Sequence, residues 1–149
     1  MWWVQIRAFE ERDRGAVVDL WRRTGLTRPW NDPDRDIDRK VADSPWGLLV
    51  AVEEERVIAA AMVGYDGHRG SVNYLAVDPE WGGRGVGDAV MARAEQLLTD
   101  RGCPKINLQV RGENADVISF YERRGYAPFP GPVVMNLGLR LIPDGPAPD

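Results

Sequence analysis

The chain has 149 residues, of which 44% are hydrophobic and 28% charged, and its formal net charge is −4. That length suits one domain around one core, and the balance of residues excludes a disordered or fibrous chain. Charges of both signs are scattered along the sequence, so it lacks the concentrated basic face that nucleic acid requires.

Val4 to Ala8 alternates apolar and polar residues and reads as a first strand. From Glu11 to Arg23, Ala16, Val17, Leu20 and Trp21 recur at helical spacing, and Gly25 is placed to end that helix. Thr27 to Pro33 must be irregular, because Pro29 and Pro33 each restrict the residue before them. Asp34 to Asp43 is a short polar helix anchored only by Ile37 and Val41. Trp46 to Val52 and Arg56 to Tyr65 read as strands joined by the acidic turn Glu53-Glu54-Glu55. After the turn Asp66-Gly67-His68-Arg69-Gly70 comes a strand from Ser71 to Val77. A helix then runs from about Gly85 to Arg101, with Val86, Val90, Ala94, Leu97 and Leu98 on one face and Gly102 as its stop. Lys105 to Val110 alternates again and predicts a strand. Asn114 is positioned to cap a helix from Ala115 to Arg124, and Gly125 fits the left-handed residue beyond it. Two closing strands are predicted near Tyr126 to Phe129 and Val133 to Leu141. The order β-α-α-β-β-β-α-β-α-β-β makes this an α/β or α+β chain with one mixed sheet. Residues 1–142 form the expected domain, and residues 143–149, rich in proline, form a flexible tail.

The lone Cys103 excludes an internal disulfide and fits a reducing cytoplasm. The first residues lack a signal peptide's pattern, and no apolar run nears the ~20 residues that span a bilayer. A cytoplasmic protein without membrane or nucleic-acid partners is the expectation.

The most informative stretch is Asp78-Pro79-Glu80-Trp81-Gly82-Gly83-Arg84-Gly85-Val86-Gly87, which joins a strand to a helix through four glycines in six residues. Such a junction aims bare N–H groups and the helix's positive end at an anion, usually a phosphate. It is not a dinucleotide fingerprint: counted from Gly83 or Gly85, the third glycine is replaced by Asp88 or Val90. Nor does the Gly-Lys-Ser/Thr triplet of a P-loop occur.

The pattern Gly82-x-x-Gly85-x-Gly87 resembles the acetyl-CoA loop of the GNAT superfamily of N-acetyltransferases, usually Arg/Gln-x-x-Gly-x-Gly/Ala. The segment Asn114 to Tyr126, with Phe120-Tyr121 ahead of Gly125-Tyr126, is similar to that family's second signature. Arg28 to Pro33 together with Gly64 to Gly70 resembles its YpeA-like bacterial branch. The resemblance reaches to about Leu141 and implies a single GNAT-like domain, with a mostly antiparallel sheet of about seven strands and helices on both faces. It departs at Gly82, where a side chain is usual; Arg84 is the candidate to supply charge to the phosphates instead.

The resemblance implies acetyl-CoA as co-substrate and an amine acceptor, with direct attack in a ternary complex. Leu75, Ala76 and Val77 would bond the pantetheine arm through main-chain groups. Gly82, Gly83, Arg84, Gly85, Val86, Gly87 and Asp88 would hold the pyrophosphate, and Asn114 would touch the pantetheine. The Leu75 N–H would stabilise an oxyanion. Tyr121 would protonate the departing thiolate; otherwise it is a core aromatic of an amphipathic helix. Counting back four residues from Leu75, where some members carry a glutamate base, gives Ser71, which cannot act as one. Water relayed to Asp66, His68 or Glu53 is the alternative, imidazole being a side chain suited to proton transfer near neutrality. Trp30, Asn31, Asp32, Tyr65, Asp66, His68 and Asn73 are the acceptor-site candidates, with the two aspartates suited to a cationic amine. Turn chemistry at Asn31-Asp32-Pro33 is the plainer account of part of that set. No metal site is expected. A covalent route through Cys103 is less simple than a connecting loop between Gly102 and Pro104. A non-catalytic acyl-CoA sensor and an unrelated nucleotide-binding module are the competing functions, and the chain is expected to be a monomer or homodimer.

Overall fold

A computed structural model describes residues 4–146. Its contacts form two units, one of the described residues up to Leu108 together with those from Asp144, the other of residues 109–143.

The first unit is built on an antiparallel sheet in the order β1-β2-β3-β4, with β1 Gln5–Ala8, β2 Leu48–Glu53, β3 Arg56–Tyr65 and β4 Gly70–Val77. Leu48, Val50 and Val52 of β2 pack with Val57 and Ala60 of β3 against α1 (Arg14–Arg23) and Ile37 of α2 (Pro33–Asp43). From α1 come Val17, Val18, Leu20 and Trp21, the first, third and fourth fully buried. The alternate residues Leu49 and Ala51 face the other side of the sheet. There α3 (Val86–Asp100) buries Val86, Val90, Met91, Ala94 and Leu98 along β3 and β4. Each large aliphatic side chain so buried contributes roughly 1.5–3 kcal/mol.

The glycines predicted to end helices do so by one mechanism. At Gly25, Gly102 and Gly125 the backbone turns left-handed (φ 75°, 79° and 95°). The following amides then reach back five residues: Leu26 N donates to Trp21 O, Cys103 N to Leu98 O and Tyr126 N to Tyr121 O, at 3.0–3.1 Å. These are Schellman caps, which satisfy carbonyls the helix leaves open.

Helix α2 is better tied than its two apolar anchors suggest. Pro33 opens it, Asp32 caps it by accepting from Asp34 N at 2.9 Å, and Arg14 donates to Asp38 at 2.7 Å and to Asp34 O at 3.1 Å. Lys40 donates to Ser44 Oγ and to the Val63 carbonyl.

The expected sheet of about seven strands is not observed: four strands form ladders among the described residues. Of Lys105–Val110, only Ile106 bridges Gly70, in parallel, with Gly70 N donating to Lys105 O at 2.8 Å and Asn107 N to Gly70 O at 2.9 Å. The segment 126–129 is not a strand, since Pro128, Pro130 and Pro132 remove donors a ladder needs. The segment 133–141 keeps its alternation but pairs with no edge among the described residues, and alternation alone makes no strand. In the unit 109–143 the regular element is α4, Ala115–Arg123.

Candidate active site

Strand β4 is interrupted where the pattern placed its most important amide. The ladder passes from Met62↔Asn73 to Ala60↔Ala76, so Tyr74 and Leu75 together stand opposite Ala61. Two residues against one is a bulge, which bends the strand and re-aims its groups. Tyr74 takes φ 57° to make it, a left-handed conformation costing an aromatic residue roughly 1–3 kcal/mol.

The surroundings over-determine that conformation. Trp21, fully buried, stacks on Tyr74 with ring centroids 4.1 Å apart and donates from Nε1 to its carbonyl at 2.9 Å. The Tyr74 hydroxyl donates to Asp36 Oδ2 at 2.8 Å and accepts from Asn31 Nδ2 at 2.6 Å, while the same Asn31 amide donates to Asp36. Burial, reinforced by the Asp36 carboxylate, pushes the Tyr74 phenol far above its ordinary pKa. It therefore stays a proton-bearing donor at any physiological pH.

Beyond Val77, Asp78 anchors the glycine loop. Its N–H donates to Ile58 O at 2.8 Å, and its buried carboxylate accepts from Glu80 N at 3.0 Å and pairs with Arg56 at 3.2 Å and Arg23 at 3.5 Å. The Glu80 amide first, then the two arginines, hold its pKa below the usual carboxylate range against the opposing effect of desolvation. Pro79–Trp81 forms a 3-10 turn, and Arg84 lies 4.7 Å over the Trp81 ring. Gly83 and Gly85 are left-handed (φ 73° and 79°), a conformation that favours glycine. Gly82 is not: at φ −61° and ψ 144° any residue fits, and an added Cβ would sit 3.4 Å from Pro79 O, an ordinary contact. Gly85 precedes α3 without a side-chain cap. The first-turn amides of Val86 and Gly87 therefore have no partner within the helix, and the helix's positive end lies with them. This arrangement can hold a phosphate.

The acceptor candidates fall into two groups. Asn31 meets Tyr74 beside Leu75, with Trp30 half-buried and Asp32 at the start of α2 adjoining it. Tyr65, Asp66 and His68 lie at the β3–β4 turn instead. There the Tyr65 hydroxyl donates to Gly67 O at 3.2 Å, and Asp66 Oδ1 accepts from His68 N and Arg69 N at 2.8 Å each. Those two amides hold Asp66 below its ordinary pKa. His68 is exposed. Gly70 and Leu75 lie five positions apart along β4, at most about 16 Å at the strand repeat. Asn73 is exposed, in register with Met62.

In the unit 109–143, Asn114 precedes α4 but its side chain makes no capping bond, contrary to expectation; its carbonyl accepts from Ile118 N at 3.1 Å. Tyr121 is buried, and desolvation raises its pKa. Its ring meets Phe120 and Tyr126 edge-on, at 5.1 and 5.5 Å. The second contact is the apolar staple that accompanies a Schellman cap, so the core reading of Tyr121 has a concrete basis.

Trp21, Asp36, Tyr74 and Asp78 were not singled out from the sequence as site residues. Trp21 and Tyr74 sit in segments that read as plain core, and nothing in the spacing of positions 31, 36 and 74 announces a cluster. Asp78, directly before Pro79, carried the one usable signal, since Asp before a proline-started turn is a capping pattern.

A family model described as the acetyltransferase (GNAT) family matches residues 14–126. An acetyltransferase of Sodalis glossinidius (strain morsitans) is 48% identical over 141 residues, covering 95% of this chain and 98% of that one. Another, from Pectobacterium atrosepticum, is 46% identical with the same coverage. Among solved structures, Ard1 from Thermoplasma volcanium superposes with a TM-score of 0.73 at 22% identity, over 85% of this chain and 84% of that one, a likeness of fold.

Proposed function

The chain belongs to the acetyltransferase (GNAT) family and is an acyltransferase, and we propose that it moves an acetyl group from acetyl-CoA to a primary amine by direct attack in a ternary complex. The observation that carries this reading is the uncapped α3 N-terminus behind two left-handed glycines, following a bulged β4. The residues present fit such a co-substrate. The amides of Val86, Gly87 and Asp88 suit its pyrophosphate, and Leu75 to Val77 offer main-chain groups to an extended arm. In this reading the Leu75 N–H stabilises negative charge developing on the acyl oxygen.

Tyr121 is assigned to protonating the departing thiolate. Its raised pKa keeps the phenol loaded with the proton that role requires. Asp36 and Asn31, joined to Tyr74, give the acceptor side a carboxylate beside the bulge, a suitable partner for an amine.

The test is thiol release from acetyl-CoA with lysine peptides, polyamines, amino acids and aminoglycosides, each product being identified by mass. One acetylated amine with stoichiometric thiol supports the proposal. Saturable acetyl-CoA binding without thiol release from any acceptor would make the protein a sensor. Thermal stabilisation by ATP or NAD but not by acetyl-CoA would remove the acetyl-CoA assignment.

A further inference from the structure

The Asp144 carboxylate lies outside the site just described. Asp144 follows the unit 109–143 and returns to the first unit, where its side chain is 0% exposed. Its Oδ2 accepts from Arg39 Nη1 at 3.1 Å and from the Asp32 N–H at 3.2 Å. Its Oδ1 accepts from Arg39 Nη2 at 2.5 Å, with Arg35 Nη1 3.7 Å away. The next residue passes so close to the segment before α2 that a Cβ on Gly145 would collide with the Pro29 carbonyl oxygen. The dipeptide thus meets one short stretch, Pro29 to Asp32, twice: the Asp144 carboxylate bonds the Asp32 amide, and Gly145 lies against Pro29.

We propose that Asp144-Gly145 is a latch that sets the position of residues 29–32, making Asp144 a positioning residue for the amine acceptor. The proposal rests on the acetyl-transfer reading above. The backbone of the stretch has few regular pairings among the described residues. Pro29 and Pro33 have no N–H to give, and one isolated bridge, Arg28↔Asn31, is its regular pairing. Asn31 lies inside the gripped stretch and bonds the Tyr74 hydroxyl and Asp36. Any shift of Asp32 moves its neighbour Asn31, and with it the polar cluster beside Leu75. A two-point guanidinium–carboxylate pair fixes direction as well as distance. Arg39 and Arg35 are 42% and 56% exposed, so on losing Asp144 they turn to water and need not unfold the chain.

The experiment uses the full chain with Asp144→Asn, Asp144→Ala, and the charge exchange Arg39→Asp with Asp144→Arg. Amide hydrogen exchange reads the latch directly. In both single variants residues 28–36 should exchange about tenfold faster while residues 86–100 keep their protection, and the charge exchange should recover part of the loss. Unaltered exchange at 28–36 would overturn the latch. With spermidine and alanyl-alanyl-lysine as acceptors, KM for the accepted amine should rise about fivefold in Asp144→Asn, with KM for acetyl-CoA within about twofold. Faster exchange with an unchanged amine KM would overturn the positioning role. Faster exchange in a protein whose unmutated form acetylates neither amine would sustain the latch and count against the acetyl-transfer reading, so the two failures are separable.

Discussion

The glycine loop 78–87 and the segment 27–33 serve the same bulged strand with opposite materials. In the proposed reading the loop works through main-chain donors, with the Asp78 carboxylate anchoring its entry. The segment 27–33 carries two prolines and works through side-chain atoms: Asn31 against Tyr74 and Asp36, and Asp32 as the α2 cap. A backbone-built site is sensitive to any substitution that forbids a left-handed φ. A site built from side chains tolerates backbone changes better and loses function atom by atom.

The largest expected effect tests where side-chain chemistry enters the donor half. Tyr121→Phe should lower kcat by about 10²–10³ with little change in KM for acetyl-CoA, the scale of a lost general acid. The raised phenol pKa adds a sign. If the protonated phenol is the proton donor proposed above, any alkaline fall in kcat due to Tyr121 should begin above the ordinary value of about 10, and none should arise near neutrality. An unchanged kcat would leave Tyr121 as the staple of the α4 cap and nothing more.

Gly85→Val should come next. A β-branched residue at φ 79° is strained by roughly 1–3 kcal/mol, and relieving the strain turns the first α3 amides away. The expectation is at least a tenfold rise in KM for acetyl-CoA, about 1.4 kcal/mol, with amine KM less affected. On the other side of the bulge, Tyr74→Phe removes a hydrogen bond to a carboxylate and should cost about 1.5–3 kcal/mol of stability by denaturant melting. Its kinetic effect should fall on the amine. If Gly85→Val raised amine KM and Tyr74→Phe raised acetyl-CoA KM, the division between the two segments would be wrong.

The same contrast explains what the sequence disclosed. Glycine spacing encodes backbone angles locally, so the loop and the three helix stops at Gly25, Gly102 and Gly125 were legible. So were the four strands that pair with their sequence neighbours. Lys105–Val110, Tyr126–Phe129 and Val133–Leu141 read as strands and form no ladder among the described residues, because alternation reports a face while a ladder requires an edge that sequence does not name. The cluster of Asn31, Asp36 and Tyr74 was missed for a related reason: 43 positions separate Asn31 from its hydroxyl partner. Asn31 entered the candidate set as a loop residue, whereas Tyr74 was hidden in an apolar run. Asp144 lies in a stretch whose prolines suggest a free tail, and its partners Arg39, Arg35 and the Asp32 amide are the ground for the role proposed for it.

The smallest expected effect is the most discriminating. Gly82 stands where the resemblance expects Arg or Gln, and its angles accept any side chain. If main-chain amides do the holding, Gly82→Arg should fold normally and alter KM for acetyl-CoA by less than about threefold, roughly 0.65 kcal/mol. The added guanidinium would share with Arg84, which already lies over Trp81, a charge the backbone has largely made unnecessary. A tenfold gain in affinity would instead show that this loop is an incomplete version of the family's cradle, short of one side-chain contact. The comparison between the two segments would then weaken, since the glycine loop too would depend on side-chain charge.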